Sequence, residues 1–103
     1  MTRVIVRKLA EQDLDAITDY YLGVAGVEVA ATFLESWDRA LTHLMRHPNS
    51  GSTRFAMAAG KAGLRAWPIR RFPYLVFYLH GQDVLDVLRL LHGARDIPAN
   101  LRE

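Results

Sequence analysis

The residues of this chain best suited to chemistry lie near its end: Arg89, His92 and Arg95, each three positions from the next. A guanidinium is a planar fork that matches the oxygens of a phosphate or carboxylate two at a time, and Gly93 lets the chain turn before Arg95. Such a corner would bind an anion. The structural alternative is that Arg89 pairs with Asp86 or Asp96 and that His92 merely closes a strand. His43 and His47 stand four apart, a spacing at which one helix face can offer two ligands to zinc. No acid follows His43 in the HExxH manner and no third ligand is evident, so the pair reads as two surface histidines and no metal is expected. Cysteine is absent, no serine has an evident base, and Gly60-Lys61-Ala62-Gly63 lacks the spacing of a phosphate loop. No cofactor is expected.

The elements that must position these residues are read from apolar periodicity. Tyr74–His80 and Val84–Leu91 are runs rich in Val, Leu, Phe and Tyr, separated by Gly81-Gln82-Asp83, which predicts a hairpin. Leu64–Arg71 precedes them across Phe72-Pro73, predicting a third antiparallel strand. Near the start, Arg3–Arg7 is apolar in the middle and charged at both ends, which suits an edge strand. Leu14, Ile17 and Tyr21 recur at helical spacing after Lys8-Leu9-Ala10, with Glu11, Asp13 and Asp15 near the positive end of the helix dipole. Ala30, Phe33, Trp37, Ala40, Leu41, Leu44 and Met45 predict a second helix over Val27–His47, stopped by Pro48, with Phe33 and Trp37 as core anchors. Gly23 and Gly26 frame the short link, so the two helices should form an antiparallel hairpin. Ser52–Ala62, rich in small residues, reads as a mobile loop, and Asp96–Leu101 as a short helix. The expectation is one α+β domain over residues 1–103, its helix hairpin covering one face of a mostly antiparallel sheet.

Composition bounds the function. A chain of 103 residues with 50% hydrophobic and 23% charged residues is expected to be a single soluble domain. The N-terminus shows no apolar signal-like run, and no stretch approaches the ~20 apolar residues of a membrane span, so a cytoplasmic protein is expected. Charge is divided unevenly: Met1–Pro48 has five Lys and Arg against seven Asp and Glu, whereas Asn49–Glu103 has eight against four. The sheet half is therefore the basic half, which suits an anionic partner or, more blandly, a solvated rim.

Taken together, several short pieces in fixed order are similar to the RelE/ParE superfamily of bacterial toxins. They are Asp13-Leu14-Asp15-Ala16-Ile17 with Tyr20-Tyr21, Ala31-Thr32-Phe33, and His47-Pro48-Asn49-Ser50-Gly51. Further on come Gly63-Leu64-Arg65, Arg71-Phe72-Pro73-Tyr74-Leu75-Val76-Phe77-Tyr78 and Val87-Leu88-Arg89-Leu90-Leu91-His92-Gly93-Ala94-Arg95-Asp96. The resemblance spans nearly the whole chain and implies the α+β fold read above. It also implies a toxin of a type II toxin–antitoxin system, held by a small antitoxin (ParD-like or related) whose C-terminal segment is disordered when free.

Two activities occur in that superfamily. RelE-like members cut messenger RNA in the ribosome, using basic residues and usually a tyrosine near the C-terminus. ParE-like members poison DNA gyrase. Arg95 matches one of the functional basic positions, but Tyr74 stands where such nucleases often carry arginine, no tyrosine follows Tyr78, and the only lysines are Lys8 and Lys61. These departures favour the ParE-like reading: a non-enzymatic inhibitor of gyrase, with an mRNA endoribonuclease and an inert antitoxin-binding module as alternatives. The residues expected to meet the target are Arg65, Arg71, Arg89, His92 and Arg95.

Overall fold

One ladder of backbone bonds joins a strand near the start of the chain to the last described strand. Arg3–Val6 forms strand β1, which runs parallel to Val84–His92, strand β4, with Arg3 opposite Val84 and Val6 opposite Val87. The structure, a computed structural model, describes residues 2–93; the expected helix over Asp96–Leu101 and Arg95 itself lie outside the described residues. Between the ends come helix α1 (Lys8–Val24), helix α2 (Val27–Arg46), a short helix α3 (Ala56–Ala59), and strands β2 (Arg65–Pro68) and β3 (Tyr74–Gly81). The sheet order is β1-β4-β3-β2. Only the β1–β4 pair is parallel, so the sheet is mostly antiparallel and the fold is α+β.

The helix hairpin covers one sheet face because its apolar stripes have nowhere else to go. Phe33, Trp37, Ala40 and Leu44 of α2 and Ala10 and Ile17 of α1 meet Val76, Tyr78, Leu85, Val87 and Leu90 in one core. Tyr21, Phe33, Phe72 and Tyr74 form an aromatic knot within it, with ring centroids 5.1–6.5 Å apart. Helix α1 begins after Arg7 without a side-chain cap, in line with the lack of a Ser, Thr or Asn there.

Two sequence expectations change. The sheet's opposite face is not left bare: Ser52–Ala62, expected as a loop, contains α3 and builds a second core of Ala59, Leu64, Ala66, Phe77 and Leu91, with Phe55 edge-on to Phe77 at 5.4 Å. Small residues allow this, since Ala56 and Ala59 let the single helical turn lie close to the sheet, and Gly60 ends it in the left-handed conformation at φ 64°. The second change is in β4. Phe77 pairs with Arg89 but Tyr78 pairs with Val87, so Leu88 is an extra residue, a β-bulge. The bulge moves Leu90, rather than Arg89, onto the helix-covered core with Leu85 and Val87.

Beyond Val87, β4 runs past the end of β1, and α1 takes over its edge. Asp13 Oδ2 accepts the Leu90 N–H at 3.0 Å, standing in for the carbonyl of an absent strand. The same carboxylate receives Arg89 Nε at 2.8 Å and a second guanidinium N–H at 3.0 Å, with both side chains only 16% exposed. Arg89 therefore pairs with Asp13 rather than with Asp86, which pairs instead with Arg7 across the β1–β4 seam; Asp96, the other partner expected for Arg89, lies outside the described residues. Removing Asp13 strands a largely buried guanidinium and an orphaned N–H. Asp13→Ala is expected to destabilise the fold by about 2–3 kcal/mol, read as a lower denaturant midpoint. Under that account Arg89→Ala loses a similar amount, and the double variant loses far less than the sum of the two; additive losses would refute the tether.

Candidate functional site

One end of the sheet brings together two of the basic residues singled out above, Arg71 and His92. The start of β3 lies beside the end of β4, with Tyr74 opposite His92, their rings 5.5 Å apart edge-on. Gly93 N–H donates to Pro73 O at 2.8 Å, so the last described residue lies alongside the β2–β3 turn. That turn is Ile69-Arg70-Arg71-Phe72, closed by Phe72 N–H to Ile69 O at 3.4 Å and by Ile69 N–H to Tyr74 O at 2.9 Å. Ile69 and Phe72 are driven into the core while Arg70 and Arg71 are left exposed between them. Apolar residues thus clamp both ends of the turn and display its two cations. Arg71 holds φ at +73°, a conformation that glycine adopts freely and arginine does not.

The five residues expected at the target surface part company here. Arg71 and His92 lie at this end of the sheet, and the chain enters it at Gly93, two residues before Arg95. Arg89 is committed to Asp13. Arg65 is committed too: its guanidinium donates to Asn49 O at 3.0 Å and Gly51 O at 2.8 Å, holding the turn that follows α2. The hydroxyl of Tyr78 completes that anchor, donating to Pro48 O at 2.7 Å and accepting from Gly51 N–H at 2.9 Å. Burial pushes the Tyr78 phenol above its ordinary value, against opposing pulls from the Gly51 N–H and Arg65. It stays protonated at neutral pH and serves structure. The fit requires Gly51: a Cβ there would lie 2.5 Å from the Tyr78 hydroxyl oxygen and 2.9 Å from Arg65 Cβ. His47-Pro48-Asn49-Ser50-Gly51 is therefore a packed corner that the sequence showed only as a turn.

A groove of about 680 Å³ opens beside the exposed turn, between the flank of α2 and β2. Thr32, Glu35, Ser36, Arg39 and His43 supply the α2 wall, and Trp67, Pro68, Arg70 and Arg71 the other. His43 stacks on Trp67 with ring centroids 4.5 Å apart and planes within 14°, and its Nε2 lies 3.0 Å from Ser50 Oγ. His47 stands beside it at 5.2 Å, but no third His, Cys, Asp or Glu gathers with them among the described residues. Sequence reading missed Arg39, Arg70 and Trp67 as neighbours. The signal was present in part, because Thr32, Glu35 or Ser36, Arg39 and His43 recur at helical spacing down one side of α2. Nothing in the sequence showed that this polar stripe would face the β2–β3 turn.

Among the described residues, no helix is long and apolar enough to cross a membrane. A sequence model described as "ParE toxin of type II toxin-antitoxin system, parDE" matches residues 4–97. Among solved structures, a chain of one titled "Chromosomal ParDE TA system from P. aeruginosa" is similar in fold, with a TM-score of 0.73. It is 24% identical over 89% of this chain and 96% of that one. No curated protein matches.

Proposed function

The chain belongs to the ParE toxin family of type II toxin–antitoxin systems, and we propose that it arrests growth of its host by binding DNA gyrase in the cytoplasm and is silenced by a cognate antitoxin. The action is contact rather than catalysis. The observation that carries this reading is the exposed Arg70-Arg71 turn at the sheet end, beside His92 and Gly93. Guanidinium groups displayed on a rigid turn suit recognition of acidic groups on a protein partner. The remaining basic and phenolic groups support it differently: Arg65, Arg89 and Tyr78 are spent on internal bonds and shape the surface without touching the target. A nuclease site would need such groups turned outward around a phosphate.

The test is induced expression in a bacterial host, with and without the cognate antitoxin, followed by assays of plasmid topology and transcript integrity. Linearised or relaxed plasmid with intact transcripts, and rescue by the antitoxin, is the expected outcome. Cut messages with normal topology would replace the reading with an endoribonuclease. Unimpaired growth would leave a module that only binds its antitoxin.

A further inference from the structure

We propose that the groove between α2 and β2 is a carboxylate-binding cleft for an acidic peptide segment, and that an antitoxin presenting such a segment covers Arg70 and Arg71 directly. The second half rests on the toxin–antitoxin reading; the first does not. Three arginines, Arg39, Arg70 and Arg71, line this groove. None is in an ion pair: among the described residues, arginine pairs only as Arg7 with Asp86 and Arg89 with Asp13. The fold thus satisfies its largely buried Arg89 and leaves three cations against one carboxylate, Glu35, around one cleft, a net positive charge that favours an incoming anion.

Arg71 adds an independent observation. The turn places it at φ +73°, where a side chain is strained, although a glycine would serve the turn without strain. Strain of this kind persists where the surroundings over-determine it, and it clusters at ligand-binding and active sites. The turn itself cannot relax, since Ile69 and Phe72 are locked in the core on either side.

The shape of the cleft selects among anions. Strand β2 is an edge strand, but Ala66 already exchanges both of its backbone bonds with Ser52 at 2.9 Å, and the next residue on that edge, Pro68, has no N–H. An incoming strand could not extend the ladder there, so recognition must go through side chains. Glu35 lies among the arginines, which disfavours a continuous phosphate backbone but leaves an acceptor for a peptide N–H. One face of Trp67 is already taken by His43, which removes a surface on which a base would stack. A peptide with spaced carboxylates and an apolar side chain against Trp67 and Pro68 fits all of these conditions.

The experiment pans a random dodecapeptide phage library on the purified full chain, then titrates the leading peptide, fluorescently labelled, by polarisation. Selected sequences are expected to be rich in Asp and Glu. Binding should fall by about tenfold or more when the peptide's acids become amides, or in Arg71→Gly. Relief of the backbone strain should leave the Tm of Arg71→Gly equal to or above that of the parent chain. Trp67 emission should shift on binding, Trp37 being buried. Arg39→Gln, a helix-surface change, is the second variant should the turn not tolerate glycine, and the same loss is expected. Selected peptides without acidic enrichment, or binding indifferent to both variants, would overturn the cleft. So would a twelve-nucleotide oligothymidylate that binds tighter than the peptide at the same salt and depends on the same arginines, since that would make it a nucleic-acid site. None of these readouts depends on toxicity, so failure of antitoxin rescue in cells and failure of peptide binding in vitro are separate results.

Discussion

Trp37→Ala is expected to lower the stability of this protein by about 3–5 kcal/mol, the range for truncating a large buried aromatic. Trp37 lies on α2 with 5% of its surface exposed, on the face shared with Phe33, Ala40 and Leu44. The helix presents that face to Val76, Tyr78, Leu85 and Val87 across the core. Losing the indole removes its transfer free energy and leaves a void, and neither layer can close it. The aromatic knot of Tyr21, Phe33, Phe72 and Tyr74 holds α2 at its distance from the sheet, and the Tyr78 anchor holds the corner after its C-terminus. Since the whole stability of such a domain is of order 5–15 kcal/mol, the variant should be near its limit. Denaturant unfolding measures this directly. A midpoint equal to that of the parent chain, at unchanged slope, would show that the indole contributes nothing to the core.

Arg95→Ala is expected to abolish growth inhibition while leaving the melting temperature within about 3 °C, the shift that goes with a surface change of ~0.5 kcal/mol in a domain of this size. The residue stands two positions after Gly93, whose N–H is fastened to Pro73 O beside the Arg70-Arg71 turn. The effect on toxicity is expected to be large because a charge pair desolvated at a protein interface is costly to break from one side. Arg95→Lys should restore only part of the activity, since an ammonium cannot make the two parallel bonds of a guanidinium. The competing role is internal, with Arg95 tying down the end of the chain. Growth inhibition and thermal unfolding measured on one variant separate the two: lost toxicity together with a clearly lower Tm would defeat recognition, and undiminished toxicity would remove Arg95 from the site.

The fate of the arginines shows why a charge cannot be given a role from its position alone. Arg65 and Arg89 looked the same in the chain as Arg70 and Arg71: each is a cation within or beside an apolar strand. What distinguishes them is a partner far away in sequence. Arg89 meets Asp13 because β4 outruns β1 and α1 lies over the open edge. Arg65 meets Asn49 and Gly51 because the corner after α2 folds back onto β2. Each pairing joins segments that lie far apart in the sequence.

Local chemistry, readable along the chain, determined the two long helices and the strand runs, though not the short helix α3. The stripe Phe33, Trp37, Ala40, Leu44 keeps the helical period, and the runs Tyr74–His80 and Val84–Leu91, rich in strand-forming residues and joined by Gly81-Gln82-Asp83, read as a hairpin. Pro48 stopped α2 where the sequence said it would, with His47 as the cap. The ordered motifs also determined the family. Tertiary structure alone decided that β1 joins the sheet in parallel beside β4, that Leu88 bulges so that Leu90 rather than Arg89 enters the core, and that small residues in Ser52–Ala62 cover the second face. It alone sorted the cations into tethers and displayed groups and set Arg39 opposite Arg70 and Arg71 across one groove. The reason is physical: propensity and periodicity act over a few neighbouring residues, whereas charge pairing and strand register are settled by the free energy of contacts between segments that the sequence keeps far apart.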